Sequence, residues 1–204
     1  MTPRAILRLL AALVLPVALA ACGAVDRAAP LADVQRAAYR HNAPASLTLY
    51  TAISNNTGAG GHSGLLINGS QRVMFDPAGT WWNRRTPERG DVIYGMTDPA
   101  LDLYVDYHAR VTYHVVVQEV RVSPEVAEQA LQIVQSYGAV GKSMCARSIS
   151  DVLSRLPGFE SVGRTWFPRA LMEDFARLPG VTEAKVFDDS PDNNKGLLDA
   201  PIGG

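Results

Sequence analysis

Cysteine is nearly absent from this chain, with two in 204 residues. Two thiols cannot form a thiolate metal cage. The four histidines include no two with the spacing of a metal-ligand pair. Charge of either sign is also missing as an excess: 19 basic side chains face 20 acidic ones, a net charge of −1. Without a basic surplus to neutralise phosphates, a general nucleic-acid binder is excluded. No internal repeat is visible. The apolar run at residues 9–18 is too short to span a bilayer as a mature helix. What is present, 47% hydrophobic and 19% charged residues, is the composition of an ordinary globular chain of one-domain length.

The N-terminus departs from that average. Arg4 and Arg8 precede the apolar run with no acid among them, and Leu19-Ala20-Ala21-Cys22 follows. This is the tripartite form of a secretory signal over residues 1–21, and Pro16 argues against an uncleaved anchor helix. Its last four residues resemble the bacterial lipobox. That resemblance implies a diacylglyceryl group on the sulfur of Cys22, a mature chain beginning there, and attachment to the membrane of the bacterial cell envelope. With Gly23 rather than aspartate next, it implies the periplasmic face of the outer membrane. Cys145 is then the one cysteine of the mature domain, without an intramolecular partner in an oxidising compartment.

Residues 22–31 read as a tether, 32–188 as one domain and 189–204, polar and glycine-rich, as a loose tail. Helical signals cover residues 32–41, stopped by Pro44, and 98–108, opened by Asp98 as cap before Pro99. Further helices are expected from Ser123-Pro124 to Tyr137, closed by Gly138, over 143–156, and over 168–178. Strand signals cover residues 46–54, 62–67, 72–76, 112–122 and 181–187. Asn68-Gly69-Ser70 marks a hairpin turn, and 77–91 reads as loop. The expected class is α+β with a mostly antiparallel sheet.

Chemistry concentrates on Cys145. With Ser143 as N-cap the thiol falls in the first helical turn, where unpaired N–H groups and the dipole favour thiolate. Its stripe continues through Ile149, Val152, Leu153 and Leu156, so it faces the sheet. A small hydrophobe in the core is the bland alternative. A thiolate nucleophile needs a base and a group to orient that base. His41 and His108 read as helix-end histidines, and His114 as a packed strand residue. His62 opens a strand after a glycine-rich loop, with Gly60, Gly61 and Gly64 leaving room for substrate or backbone. If Asn68-Gly69-Ser70 is a three-residue loop, Ile67 pairs with Gln71 and His62 lies directly opposite Asp76. A two-residue turn would put the two on opposite faces. Asp76 before Pro77 has a bland reading as a turn aspartate.

In order along the chain stand GHSGLLI with His62, a hairpin, MFDPAG with Asp76, and SMCARSISDVL with Cys145. This order resembles the circularly permuted branch of the NlpC-type papain-like cysteine hydrolases and acyltransferases, in which histidine precedes cysteine. The resemblance covers roughly residues 46–156. It implies a permuted papain-like domain, with the sheet packed against the cysteine-bearing helix and extra helices added. It also implies Cys145 as nucleophile, His62 as general base and then acid, and Asp76 as orienter of the imidazole. Relatives often carry His, Glu or Asn where this chain has Asp76. The Cys145 N–H would hold an oxyanion, with Tyr50 or Tyr137 as second donor. The implied enzyme is a lipid-anchored thiol hydrolase or acyltransferase. It would act through a thioester on a peptidoglycan peptide or a lipid acyl group, with no cofactor and no metal. The alternative is a non-catalytic envelope lipoprotein using the same fold as a binding or assembly module.

Other motifs resolve to bland readings. SYGAVGKS at residues 136–143 has Ser136 in place of the first phosphate-loop glycine and follows a helix, not a strand. GHSG is one residue short of a serine-hydrolase elbow. Trp81-Trp82 with Arg84-Arg85 could grip a carbohydrate or headgroup, though partly buried loop aromatics are the simpler reading.

Overall fold

The computed structural model describes residues 27–203, so the signal sequence and Cys22 lie outside the described residues. Elements follow in the order α1 (Leu31–Arg36), β1 (Ser46–Ser54), β2 (Gly60–Asn68), β3 (Arg72–Phe75), β4 (Glu88–Arg89), β5 (Val92–Ile93) and α2 (Asp98–His108). Then come β6 (Tyr113–Arg121), α3 (Pro124–Tyr137), α4 (Cys145–Leu153), α5 (Pro168–Phe175), β7 (Thr182–Val186) and a 3₁₀ turn (Asn194–Asp199). The strands form one antiparallel sheet in the order β4-β5-β3-β2-β1-β6-β7. The class is α+β, as expected.

Alternation along the strands sorts side chains between two cores. Odd positions such as Leu47, Leu49, Leu65, Ile67 and Phe75 join the layer that contains α3, α4 and α5. Even positions such as Tyr50, Leu66 and Met74 join the layer of α2 with Trp81 and Tyr104. Leu47, Leu49, Leu65 and Ile67 are fully buried, each contributing about 1.5–3 kcal/mol relative to exposure. Both faces are covered, which is why β2 is buried from Ser63 to Asn68 rather than on alternate residues.

Several boundaries differ from the sequence expectation. The first helix stops at Arg36 instead of 41. Beyond it the backbone is claimed by tertiary partners: the Tyr39 carbonyl accepts from the Arg72 N–H, and Asn68 donates to the carbonyls of Ala43 and Pro44. Thr97, not Asp98, caps α2, accepting from the Ala100 N–H. Residues expected as loop contain β4, and β5 follows at Val92–Ile93. Trp81 is fully buried, its ring edge-on to Tyr104 at 5.4 Å, so it is no carbohydrate platform. The tail is docked rather than loose: Asn83 and Arg85 donate to the carbonyls of Leu198, Ala200 and Ile202, and Ile202 is buried. Residues 27–30 are fastened too, by an Arg27–Glu88 ion pair of 2.8 Å and an Ala29 N–H bond to the Glu88 carbonyl. Among the described residues no helix is long and apolar enough to cross a membrane.

Candidate active site

The turn of the β2–β3 hairpin sets the site. Asn68 pairs with Arg72 and Leu65 with Phe75, so the three-residue loop is Gly69-Ser70-Gln71 rather than Asn68-Gly69-Ser70. The register is two residues away from the expected one. Continued one step, it places Asp76 across from Gly64, and His62 diagonal to it. A shift of two keeps the same face, so the contact survives: His62 Nε2 donates to Asp76 Oδ1 at 2.6 Å. Gly64 permits the diagonal, because a side chain there would fill the space between the two strands. Its Cβ would stand 2.3 Å from the Tyr104 hydroxyl and 3.3 Å from Asp76 Oδ1.

Cys145 comes from the opposite layer. β3 ends at Phe75, leaving residues 60–64 of β2 without a ladder partner on that side. The N-terminus of α4 fills this gap. The Cys145 sulfur meets the backbone N–H groups of Ser63 and Ala146 and the His62 ring. Since His62 Nε2 is given to Asp76, Nδ1 is the nitrogen left to address the sulfur. The expected Ser143 cap is not used: Met144 occupies the N-cap position without a side-chain cap bond, and Ser143 takes a left-handed φ of 67°. The helix is thus opened by a tight turn, not by a hydroxyl. The apolar stripe Ile149, Val152, Leu153 and Leu156 is buried as expected.

Electrostatics tie the three groups together. Burial pushes the His62 imidazolium toward neutrality, but the Asp76 carboxylate beside it outweighs this and raises the pKa to about 10. Burial opposes ionisation of Asp76 as well, yet the His62 charge and hydrogen bond hold its carboxyl below the usual range. The Cys145 thiol is brought down against its own burial by the His62 hydrogen bond and charge and by the two N–H groups. The arrangement favours a thiolate facing an imidazolium that is anchored by a carboxylate.

Three participants were not anticipated. Tyr104 on α2 donates its hydroxyl to Asp76 Oδ1 at 2.8 Å. One turn on, His108 is no solvated helix end. Its ring stacks on His62 at 5.5 Å with planes 9° apart, and its Nδ1–H donates to the Tyr104 carbonyl at 2.8 Å. Burial, then the His62 charge, lower its pKa to about 4, so a neutral ring lies on the imidazolium. The i, i+4 spacing of Tyr104 and His108 was visible in sequence; that this helix face meets the hairpin was not. A third is Asp91, whose Oδ2 accepts from the N–H groups of Ala78 (3.2 Å) and Val140 (2.9 Å). It thereby joins the loop after Asp76 to the segment leading into Cys145. Of the two tyrosines considered as oxyanion donors, Tyr137 packs edge-on to Phe75 with Arg155 over its ring. Tyr50 lies on the His62 face, edge-on to Tyr104 at 6.0 Å. Among the described residues no cluster of three metal-ligating side chains occurs.

Gly64→Ala should destabilise the domain by about 1–3 kcal/mol through overpacking against Tyr104. Chemical denaturation measures it. In a Tyr104→Phe background, where the clashing hydroxyl is gone, the added penalty should shrink; an equal penalty there would place the strain elsewhere.

Comparison with protein-family models, with curated proteins and with solved structures gave no match for this chain.

Proposed function

We propose that the protein is a lipid-anchored cysteine hydrolase or acyltransferase of the bacterial cell envelope, with a permuted papain-like domain. The observation that carries this reading is the grouping of Cys145, His62 and Asp76 from three separate elements, with His62 bonded to Asp76 at 2.6 Å and Cys145 facing the His62 ring from a helix N-terminus. A buried structural cysteine would have no need of an imidazolium partner that itself rests on a buried carboxylate.

The chemistry follows from the geometry. The Cys145 thiolate attacks an amide or ester carbonyl, and the carbonyl oxygen becomes an oxyanion held by the Cys145 N–H at the start of α4. The imidazolium gives its proton to the leaving amine or alcohol as the C–N or C–O bond breaks, which leaves a thioester. His62, now neutral, takes a proton from water or an acceptor amine, which attacks the thioester and releases the thiolate. Asp76 and Tyr104 keep the His62 Nε2–H pointing away from the reaction, and the flat His108 ring supports the imidazolium face.

Alkylation tests this. Cys145 in the folded protein should react with iodoacetamide at neutral pH far faster than in a His62→Ala variant, as followed by mass spectrometry. Labelling of the native protein only after denaturation would remove the enzyme reading and leave a binding or assembly module. The pH profile has a defined sign. Turnover should rise as pH climbs through the lowered Cys145 pKa and fall only as His62 loses its proton near 10. An alkaline limb near 6.5 would mean that Asp76 does not hold His62 charged.

A further inference from the structure

Large apolar side chains exposed among the described residues are Leu31, Val111, Tyr113, Trp166, Phe167 and Phe187. All but Leu31 gather at one end of the sheet. There β1 ends at Ser54 opposite Tyr113, β2 begins at Gly60, and β7 ends at Val186 opposite Val115. The Tyr113 ring lies against Gly61, the neighbour of His62. Pro168 and Arg169, directly after Trp166-Phe167, lie against Gly60. Phe187 stacks on His114 with centroids 4.6 Å apart. Trp166 is 55%, Phe167 71% and Phe187 63% exposed. Monomers tolerate scattered apolar residues, but a group of aromatics along the margin of a reactive site is a docking surface.

The cations at this end do not make it a charged patch. Arg164 pairs with Asp151, Arg169 with Glu173 and Lys185 with Glu183. Attraction there is therefore apolar. The start of the described chain supplies the second observation. Arg27 lines a cavity of about 140 Å³ together with Ala78, Gly79, Thr80, Asp91 and Lys142. Gly79 abuts the Asp76 carboxylate so closely that a Cβ would stand 1.8 Å from Oδ2. Five residue-to-residue steps lead from Cys22 to Arg27, a reach of at most about 18 Å. An acylated Cys22 therefore holds a lipid surface close to the Asp76 side of the site, while the aromatics border its His62 side.

We propose that Trp166 and Phe167, with Tyr113 and Phe187, seat in the phospholipid surface that carries the Cys22 acyl chains, so that Cys145 works on carbonyls of membrane-borne molecules. This rests on the reading of Cys22 as acylated and Cys145 as nucleophile. The Trp166 and Tyr113 rings, each with a polar edge, suit the headgroup level, and the phenyl rings of Phe167 and Phe187 suit the acyl boundary beneath it. Because the attraction is apolar, seating requires no anionic lipid.

The test uses the full chain, produced in a bacterium and reconstituted into phosphatidylcholine vesicles with or without brominated acyl chains. Brominated lipid should quench the wild type by roughly one third, the share of one tryptophan of three, and leave Trp166→Phe largely unquenched. Flotation of the vesicles, together with Cys145 alkylation, separates the assumptions. Protein that floats but is quenched equally in both forms has its aromatic end in water, which overturns the seating and leaves the anchor. Protein that does not float overturns both. Quenching specific to Trp166 with an unreactive Cys145 upholds the docking surface and removes the catalytic role.

Discussion

Cys145→Ala is expected to reduce hydrolysis of p-nitrophenyl acyl esters by on the order of 10³-fold or more, with no acyl-enzyme detectable by mass spectrometry. The size follows from the site's construction. His62 faces the sulfur, Asp76 holds His62, Tyr104 holds Asp76 and the sulfur sits at the α4 N-terminus, so in the proposed mechanism nothing else replaces the nucleophile. Fold stability should barely change. Cys145 is buried, but losing one sulfur atom leaves a void smaller than those made by leucine truncation. That corresponds to about 1 kcal/mol and a melting shift of about 2–4 °C for a domain of this size. An alanine variant that still turns over ester, or forms a covalent adduct elsewhere, would place the chemistry at another residue.

Asp76→Ala should damage both stability and activity. The carboxylate is 3% exposed and accepts from His62 and Tyr104 through the same oxygen. Truncation leaves two buried donors without their acceptor and removes the charge that keeps His62 protonated. Breaking such a buried pair costs roughly 3 kcal/mol, and loss of the orienting carboxylate lowers turnover on the order of 10²-fold or more. The stability difference has a characteristic pH dependence. His62 is raised above its ordinary 6.5, so its contribution is complete below 6.5 and fades as pH rises through about 10. Asp76 is lowered from 3.8, so its contribution is complete above 3.8 and fades as pH falls through the folded value. The gap between wild type and Asp76→Ala, read from urea denaturation, should therefore be widest between about pH 4 and 6.5. A gap that widens from there toward pH 10 would contradict the ion pair. Asp76→Asn, which keeps the shape and an acceptor oxygen, should recover part of the stability and little of the activity.

Elements with strong local signals were legible in the sequence. The alternation of residues 46–54 and the proline-opened helices at Pro99 and Pro124 are set by backbone preferences that depend on few neighbours, and they appear within a residue or two. Local reasoning failed where tertiary partners decide. The first helix loses its last turn because the hairpin takes the carbonyls of that segment. The tail is ordered because Asn83 and Arg85, over a hundred residues away, bond its backbone. Ser143 has the chemistry of a cap but sits in a left-handed turn instead.

The site divides in the same way. Taken alone, the sequence determined that one cysteine lies at the start of an amphipathic helix. It also made a shared hairpin face for His62 and Asp76 conditional on a three-residue loop, and the observed loop has that length although its register is two residues from the expected one. Only the tertiary structure decided that β3 stops at Phe75. That early end opens the edge of β2 at Ser63 and lets a helix from one face of the sheet bring its sulfur to a histidine on the other. It alone decided, too, that His108 lies over that histidine and that Tyr104 bonds its carboxylate partner. The reason is physical: parity and helix periodicity are local properties of the chain, whereas the meeting of two layers through a gap depends on where a strand ends in space.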